Sequence, residues 1–338
     1  MTTSFFVFGP ESGQSAGTEY DVIVVGAGPA GMCAGLYCGR ARLKTLVLDK
    51  LAPGGELLNT EWIEDYPGFR LIRGVELAQR MEEHAREFGA EFRMGTVTEV
   101  WSEGVDKFVR TAEGDLYKAK AVIVCTGGSP RKLGVPGEAE FAGRGVSYCA
   151  VCDGAFFQDQ VLAVVGGGDA AVEEGTFLTR YARKVYIIHR RDQLRAQPIL
   201  QERAFANPKI EFIWNTVVEE IGGNDAVEWV RLRNVKDGTV WTLPVNGVFI
   251  YIGFVPNSNI FRDPVQTDPN GYIITNERME TSIPGIFAAG DVRVQLVRQI
   301  TNAVGDATTA AIAAQKYIEQ LKDAERRARA ADPTRSDS

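Results

Sequence analysis

The chain has 338 residues and a net charge of −7, with a pI near 5.2 and no long Lys/Arg block. That balance argues against nucleic acid or an anionic membrane as the main partner, and the longest apolar runs, such as VFIYIGFV at 248–255, fall well short of the ~18 residues of a bilayer span. A composition of 45% hydrophobic and 24% charged residues is globular rather than disordered, and the length suits two domains of roughly 120 to 150 residues.

Residues 1–19 hold an FFVF cluster followed by Gly, Ser and Glu. Without a basic start or a sustained apolar stretch they read as a flexible extension, not a signal peptide. Next, Tyr20 to Val25 (YDVIVV) reads as a buried parallel strand that runs into Gly26, Gly28 and Gly31 and then a helix. In G-x-G-x-x-G spacing the first glycine permits the tight turn, the second lets a pyrophosphate reach the backbone, and the third lets helix and strand pack closely. The strand TLVLD then ends at Asp49, placed to accept hydrogen bonds from a ribose. A turn containing Pro53, Gly54 and Gly55 follows, then the helical GVELAQRMEEHAREFGAEF, several alternating strands and the strand AKAVIVC ending in TGG.

Cys149-Ala150-Val151-Cys152-Asp153 comes next. Two thiols at this spacing can close a small disulfide ring, a helix start lowers the pKa of one of them, and Asp153 can manage the accompanying proton. Half of a zinc site is the rival reading, but there is no second CxxC and the only histidines are His84, read as a helix-surface residue, and His189. No metal is expected. Cys33, Cys38 and Cys125 fall on a helix and a core strand and read as packing residues. Five cysteines with one close pair fit a reducing cytoplasm.

A second unit of the same design starts at Val161 to Val165 (VLAVV) and runs into Gly166, Gly168 and Ala171, with Glu173 and Glu174 early in the following helix, where they could orient a nicotinamide. Its next strand, KVYII, ends in His189, Arg190 and Arg191, with Arg195 nearby. Basic residues there pair with a 2′-phosphate, so NADPH is expected over NADH. After a meander of short strands to about Pro256 come TSIPGIFAAGD and a final helix, and from Lys322 a charged stretch ending PTRSDS reads as a fraying tail.

The segment IPGIFAAGD, the stretch EDYPGF, the motif C-A-x-C-D-G and the run HRRDQLRA together resemble the low-molecular-weight thioredoxin reductases among the pyridine nucleotide-disulfide oxidoreductases, over roughly residues 20–320. The resemblance implies an α/β fold of two Rossmann-like dinucleotide-binding domains. The NADPH domain (132–256), carrying the CxxC, is inserted into a discontinuous FAD domain (20–131 and 257–321), and 322–338 is a tail. It implies FAD held by Gly26, Gly28, Gly31, Asp49, Gly54, Gly55, Asp291 on the ribityl chain, Gln299 and Ile300. It implies NADPH held by Gly166, Gly168, Ala171, Glu174, His189, Arg190, Arg191 and Arg195. Cys152 is then the thiol nearer the flavin, Cys149 attacks thioredoxin, the inserted domain rotates on segments near 131 and 256, and the protein is a homodimer. One departure from the family is Ala307, where its A-x-G-x-G pattern has a second glycine, which is expected to alter the flavin environment. Two alternatives stand beside this reading: a thioredoxin reductase-like flavoenzyme fed by ferredoxin or another donor, as in family members that lack the NADPH motifs, against which the intact HRRDQLRA argues, and a non-catalytic flavin-bound redox sensor.

Overall fold

The computed structural model describes residues 19–331, so the extension expected at the N-terminus, apart from Glu19, and residues 332–338 lie outside the described residues. Two compact units result, one made of 19–55, 77–127 and 257–331, the other of 56–76 and 128–256.

In the first unit the strand Glu19–Val25 lies between Thr45–Asp49 and Leu116–Val124, parallel to both. Val22, Ile23 and Val24 are all fully buried, which explains why this strand is a continuous apolar run with no polar alternation: both faces of the sheet are covered. One face packs against the helix Pro29–Arg40 and the final helix Ile300–Ala331, where Ala303, Ala307, Ala310 and Ala314 keep the buried stripe thin. The other face is filled by Ile23, Val25, Leu46, Val109 and Ile286. Ile286–Ala288 joins Leu116–Val124 in parallel register, so the chain returns to its first sheet after building the second.

The second unit repeats the design. Val161–Gly166 runs parallel to Lys184–Ile188 on one side and to Gly247–Tyr251 on the other, with the helix Asp169–Leu178 on one face and an antiparallel meander of Thr216–Gly223, Val227–Asn234 and Val240–Pro244 supplying the core of the other. Both units are Rossmann-like, and the second is inserted into the first.

Two features depart from the sequence expectation. Residues 56–76, assigned there to the first domain, group with the second unit, tied by the ion pairs Glu61–Arg180 and Glu64–Arg203. The final helix also continues to Ala331 through the charged stretch, because Ala, Glu, Lys and Arg are strong helix formers even where nothing packs against them. Among the described residues no helix is long and apolar enough to cross a membrane.

Candidate active site

Each unit presents a helix start stripped of side chains. Gly26 sits at φ +101°, and a Cβ there would lie 2.3 Å from the Cys125 carbonyl oxygen; a Cβ on Gly31 would lie 1.7 Å from the Gly26 oxygen. Both positions therefore demand glycine. Gly28 and Gly168 are the N-caps of their helices and neither end is capped by a side chain. A Cβ on Gly168 would meet nothing within 4 Å, and one on Gly28 only the Gly55 Cα at 3.9 Å. These are open cradles of unsatisfied amides at the positive ends of helix dipoles, a fit for pyrophosphate. Ala171 is fully buried against the second turn, its Cβ where a side chain on Gly166 would collide.

Asp49 stands at the end of its strand, and its carboxylate braces the first turn: Oδ2 accepts from Ala27 N–H at 2.6 Å and Oδ1 from Leu51 N–H at 3.1 Å. Gly54, buried, donates its N–H to the Ala27 oxygen at 2.8 Å and brings Gly55 beside Gly28. Asp291 follows the strand Ile286–Ala288 in a short 3-10 turn, with Gln299 and Ile300 at the start of the final helix. That loop is clamped by a residue the sequence analysis did not identify. Buried Asp306 accepts at Oδ2 from Gly290 N–H (3.2 Å) and from Arg293 Nη1 (3.0 Å), and the ion pair is only 15% and 10% exposed on its two sides. Asp306→Ala leaves the Arg293 charge uncompensated, so unfolding should cost about 3 kcal/mol less. Denaturant melts of the two proteins would show it, and coincident curves would refute it. The Ala307 methyl packs in the core with Ala30 and Cys33.

Cys149 and Cys152 form a disulfide. Cys149 is half-buried and Cys152 exposed. They span the start of the four-residue helix Ala150–Asp153, with Cys149 as its N-cap, Cys152 as its third residue, and the Cys149 Sγ 3.1 Å from the Cys152 N–H. On reduction that amide stabilises a thiolate at Cys149. Half-buried Asp153 follows directly. Three further residues stand near the pair or its helix start. Asn59 Oδ1 lies 3.5 and 3.7 Å from the two sulfurs. Buried Glu138 gathers Tyr148 Oη–H and the Leu133 and Gly134 amides, and Tyr251 Oη accepts from Ala150 N–H at 2.8 Å. The remaining cysteines, Cys33, Cys38 and Cys125, are buried as expected. Burial pushes their thiols up, that of Cys38 to about 12, which leaves them unreactive.

Beside the second turn a cavity of about 410 Å³ is lined by Arg190, Arg191, Arg195, Asn215 and Lys236, among others. Among the described residues, none of the three arginines is in an ion pair, whereas Lys236 pairs with Asp192 at 2.9 Å. Arg195 donates its backbone N–H to the Gly167 oxygen at 2.7 Å, tying the basic loop to the glycine turn. His189, grouped with these residues in the sequence, does not line the cavity. It is buried under Gly167, its Nδ1 2.3 Å from where a Cβ there would be, and burial first, then the three arginines, holds it below its ordinary pKa.

Glu174, on the helix Asp169–Leu178, has a buried Oε2 with no hydrogen-bond partner. Burial first, then Glu173, Glu56 and Glu61, raises its pKa from 4.5 to about 8. Between those values the folded protein keeps a proton that the unfolded chain releases, so stability present below pH 4.5 falls as pH rises through the window, by up to about 1.4 kcal/mol per pH unit. Glu174→Gln should therefore melt with the wild type near pH 5 and clearly above it near pH 8. Melting temperatures that stay parallel across this range would contradict the assignment.

Residues 20–307 match the family described as pyridine nucleotide-disulphide oxidoreductase. A thioredoxin reductase of Listeria innocua is 55% identical over 306 residues, covering 90% of this chain and 96% of the relative, and one of Bacillus subtilis is 53% identical over 305 residues, with 90% and 96% covered. The solved structure of Lactococcus lactis thioredoxin reductase in its FR conformation matches with a TM-score of 0.87 at 49% identity, over 89% of this chain and 99% of that one.

Proposed function

We propose that this chain, which belongs to the pyridine nucleotide-disulphide oxidoreductase family, reduces the disulfide of thioredoxin with electrons from NADPH, relayed by FAD to the Cys149–Cys152 pair. The observation that carries the reading is a disulfide across a helix start, in a chain with two uncapped glycine turns of which the second adjoins the arginine-lined cavity. The relatives' activity as thioredoxin reductases supports the same substrate.

In this reading Gly26, Gly28 and Gly31, with Asp49, Gly54, Gly55, Asp291, Gln299 and Ile300, hold FAD. Gly166, Gly168 and Ala171, with Glu174, Arg190, Arg191 and Arg195, hold NADPH, and His189 supports the second turn from beneath. When bound, FAD supplies the two-electron chemistry that links a nicotinamide to a disulfide. The amides at Gly28 and Gly168 take the pyrophosphates, and the arginines neutralise a 2′-phosphate dianion.

Once the pair is a dithiol, the Cys149 thiolate, held by the Cys152 amide, attacks one sulfur of the thioredoxin disulfide. A mixed disulfide forms and the other thioredoxin sulfur leaves as a thiolate. Cys152 then attacks the Cys149 sulfur, which re-forms the enzyme disulfide and frees the second thioredoxin thiolate. Two electrons and two protons pass to thioredoxin, and Asp153, next in the chain, is placed to carry a proton.

The test is anaerobic reduction of the flavin-loaded protein with NADPH and, separately, NADH, followed by bleaching near about 450 nm. Fast bleaching by NADPH and slow bleaching by NADH is the expected result. If neither nucleotide bleaches a protein that dithionite does bleach, the NADPH half of the reading fails.

A further inference from the structure

Tyr251 ends the strand Gly247–Tyr251, at the carboxyl edge of the second sheet beside the glycine turn. Its backbone is wedged there, since a Cβ on Gly166 would lie 2.2 Å from the Tyr251 oxygen. The residue faces two ways. It lines a cavity of about 180 Å³ together with Gly168, Ala171, Arg195 and Phe254, which is the crevice where a dinucleotide on this turn must lie. Its hydroxyl oxygen also accepts the Ala150 N–H at 2.8 Å, the first amide of the helix that carries the redox pair. One half-buried residue thus adjoins both the nucleotide crevice and the cysteine helix within a single unit.

We propose that Tyr251 is a positioning residue that couples occupancy of the nucleotide crevice to the state of the Cys149–Cys152 pair. The proposal rests on the nucleotide reading above. Its physical basis is that the disulfide ties the N-cap of a four-residue helix to that helix's third residue, fixing the Ala150 amide between them and through it the Tyr251 ring. Tyr251 lines this crevice, so a nucleotide seated there presses on the residue and is favoured where the ring can give way. Opening the disulfide slackens the helix start and lets it do so. Burial first, then the acidic groups that face the hydroxyl, Glu174, Asp153 and Glu56, raise its pKa, so it stays a neutral phenol while its oxygen accepts from Ala150. By linkage, a nucleotide that binds better when the disulfide is open must in turn favour the open form.

The experiment compares dissociation constants for NADP⁺ in the FAD-loaded protein by calorimetry. NADP⁺ is already oxidised, so no electrons move. Four proteins are needed: the wild type in its disulfide form, Cys149→Ser/Cys152→Ser as its open counterpart, and each with Tyr251→Phe. NADP⁺ should bind the serine protein tighter than the disulfide protein by about five-fold or more, and Tyr251→Phe should erase that ratio. A purely structural role for the tyrosine would weaken binding by the same factor in both forms and leave the ratio intact, which would overturn the proposal. Equal affinities in the two proteins that keep Tyr251 would overturn it as well. Absence of NADP⁺ binding in all four would instead remove the nucleotide assignment, and the coupling with it.

Discussion

Cys152→Ser should lower turnover with thioredoxin by at least about a thousand-fold yet leave the protein able to capture thioredoxin covalently. Cys149→Ser should lose both. The difference follows from the helix start. Cys149 is the N-cap, its sulfur 3.1 Å from the Cys152 N–H, so the lone thiol left by Cys152→Ser is the one whose thiolate is stabilised. It can attack the thioredoxin disulfide and form the mixed disulfide, but no neighbouring sulfur remains to resolve it. In Cys149→Ser the surviving thiol is exposed but has lost its partner, and the amide that capped Cys149 now faces a serine oxygen. Mixing each variant with oxidised thioredoxin and running a non-reducing gel separates them: an adduct with Cys152→Ser alone is expected. An adduct with Cys149→Ser alone would reverse the roles of the two cysteines. Flavin bleaching by NADPH should survive both substitutions, which keeps this result independent of the nucleotide assignment.

What could be read in the sequence was what short-range sterics enforce. Gly26, Gly31 and Gly166 are legible because a side chain at each would strike backbone or a neighbouring methyl, at Cys125, Gly26, Tyr251 and Ala171, so the spacing records the turn itself. The cysteine pair is legible because its two sulfurs lie three residues apart. Asn59 and Tyr251 were not, for they meet their partners only after distant segments fold together; Glu138 and the Asp306–Arg293 clamp were not either, because although their partners lie within 16 residues no motif marks them. Tyr251 reaches Ala150 across 101 residues and Asn59 reaches the sulfurs across at least 90, and nothing in the local pattern around either marks the contact. Asp49 was found by its position at a strand end, but its hydrogen bonds to Ala27 and Leu51 depend on how the turn closes. His189 is set apart from its neighbours: adjacency to Arg190 and Arg191 suggested a shared ligand, while its ring is buried beneath Gly167 and does not line the arginine cavity.

Arg190→Ala/Arg191→Ala should collapse the preference for NADPH over NADH by about a hundred-fold, almost entirely through a lower kcat/KM for NADPH. A hydrogen bond to a charged group contributes about 1.5–3 kcal/mol, and each 1.4 kcal/mol is about a factor of ten. Losing two such partners could therefore cost more than a hundred-fold, but Arg195 and Lys236 line the same cavity and retain part of the attraction. Arg195 is left in place because its backbone also ties the loop to Gly167, so its removal would mix charge with geometry. NADH carries no 2′-phosphate and has little for these side chains to hold, so its kinetics should barely move. Asp192 gives the argument a second arm. Its carboxylate engages Lys236 at 2.9 Å, and Asp192→Asn should release that lysine toward the phosphate and strengthen NADPH binding modestly, by a few-fold at most given how exposed the pair is. Equal losses for both nucleotides in the double arginine variant would mean that these residues maintain the fold of the loop rather than read the phosphate, and discrimination would then have to arise elsewhere in the cavity.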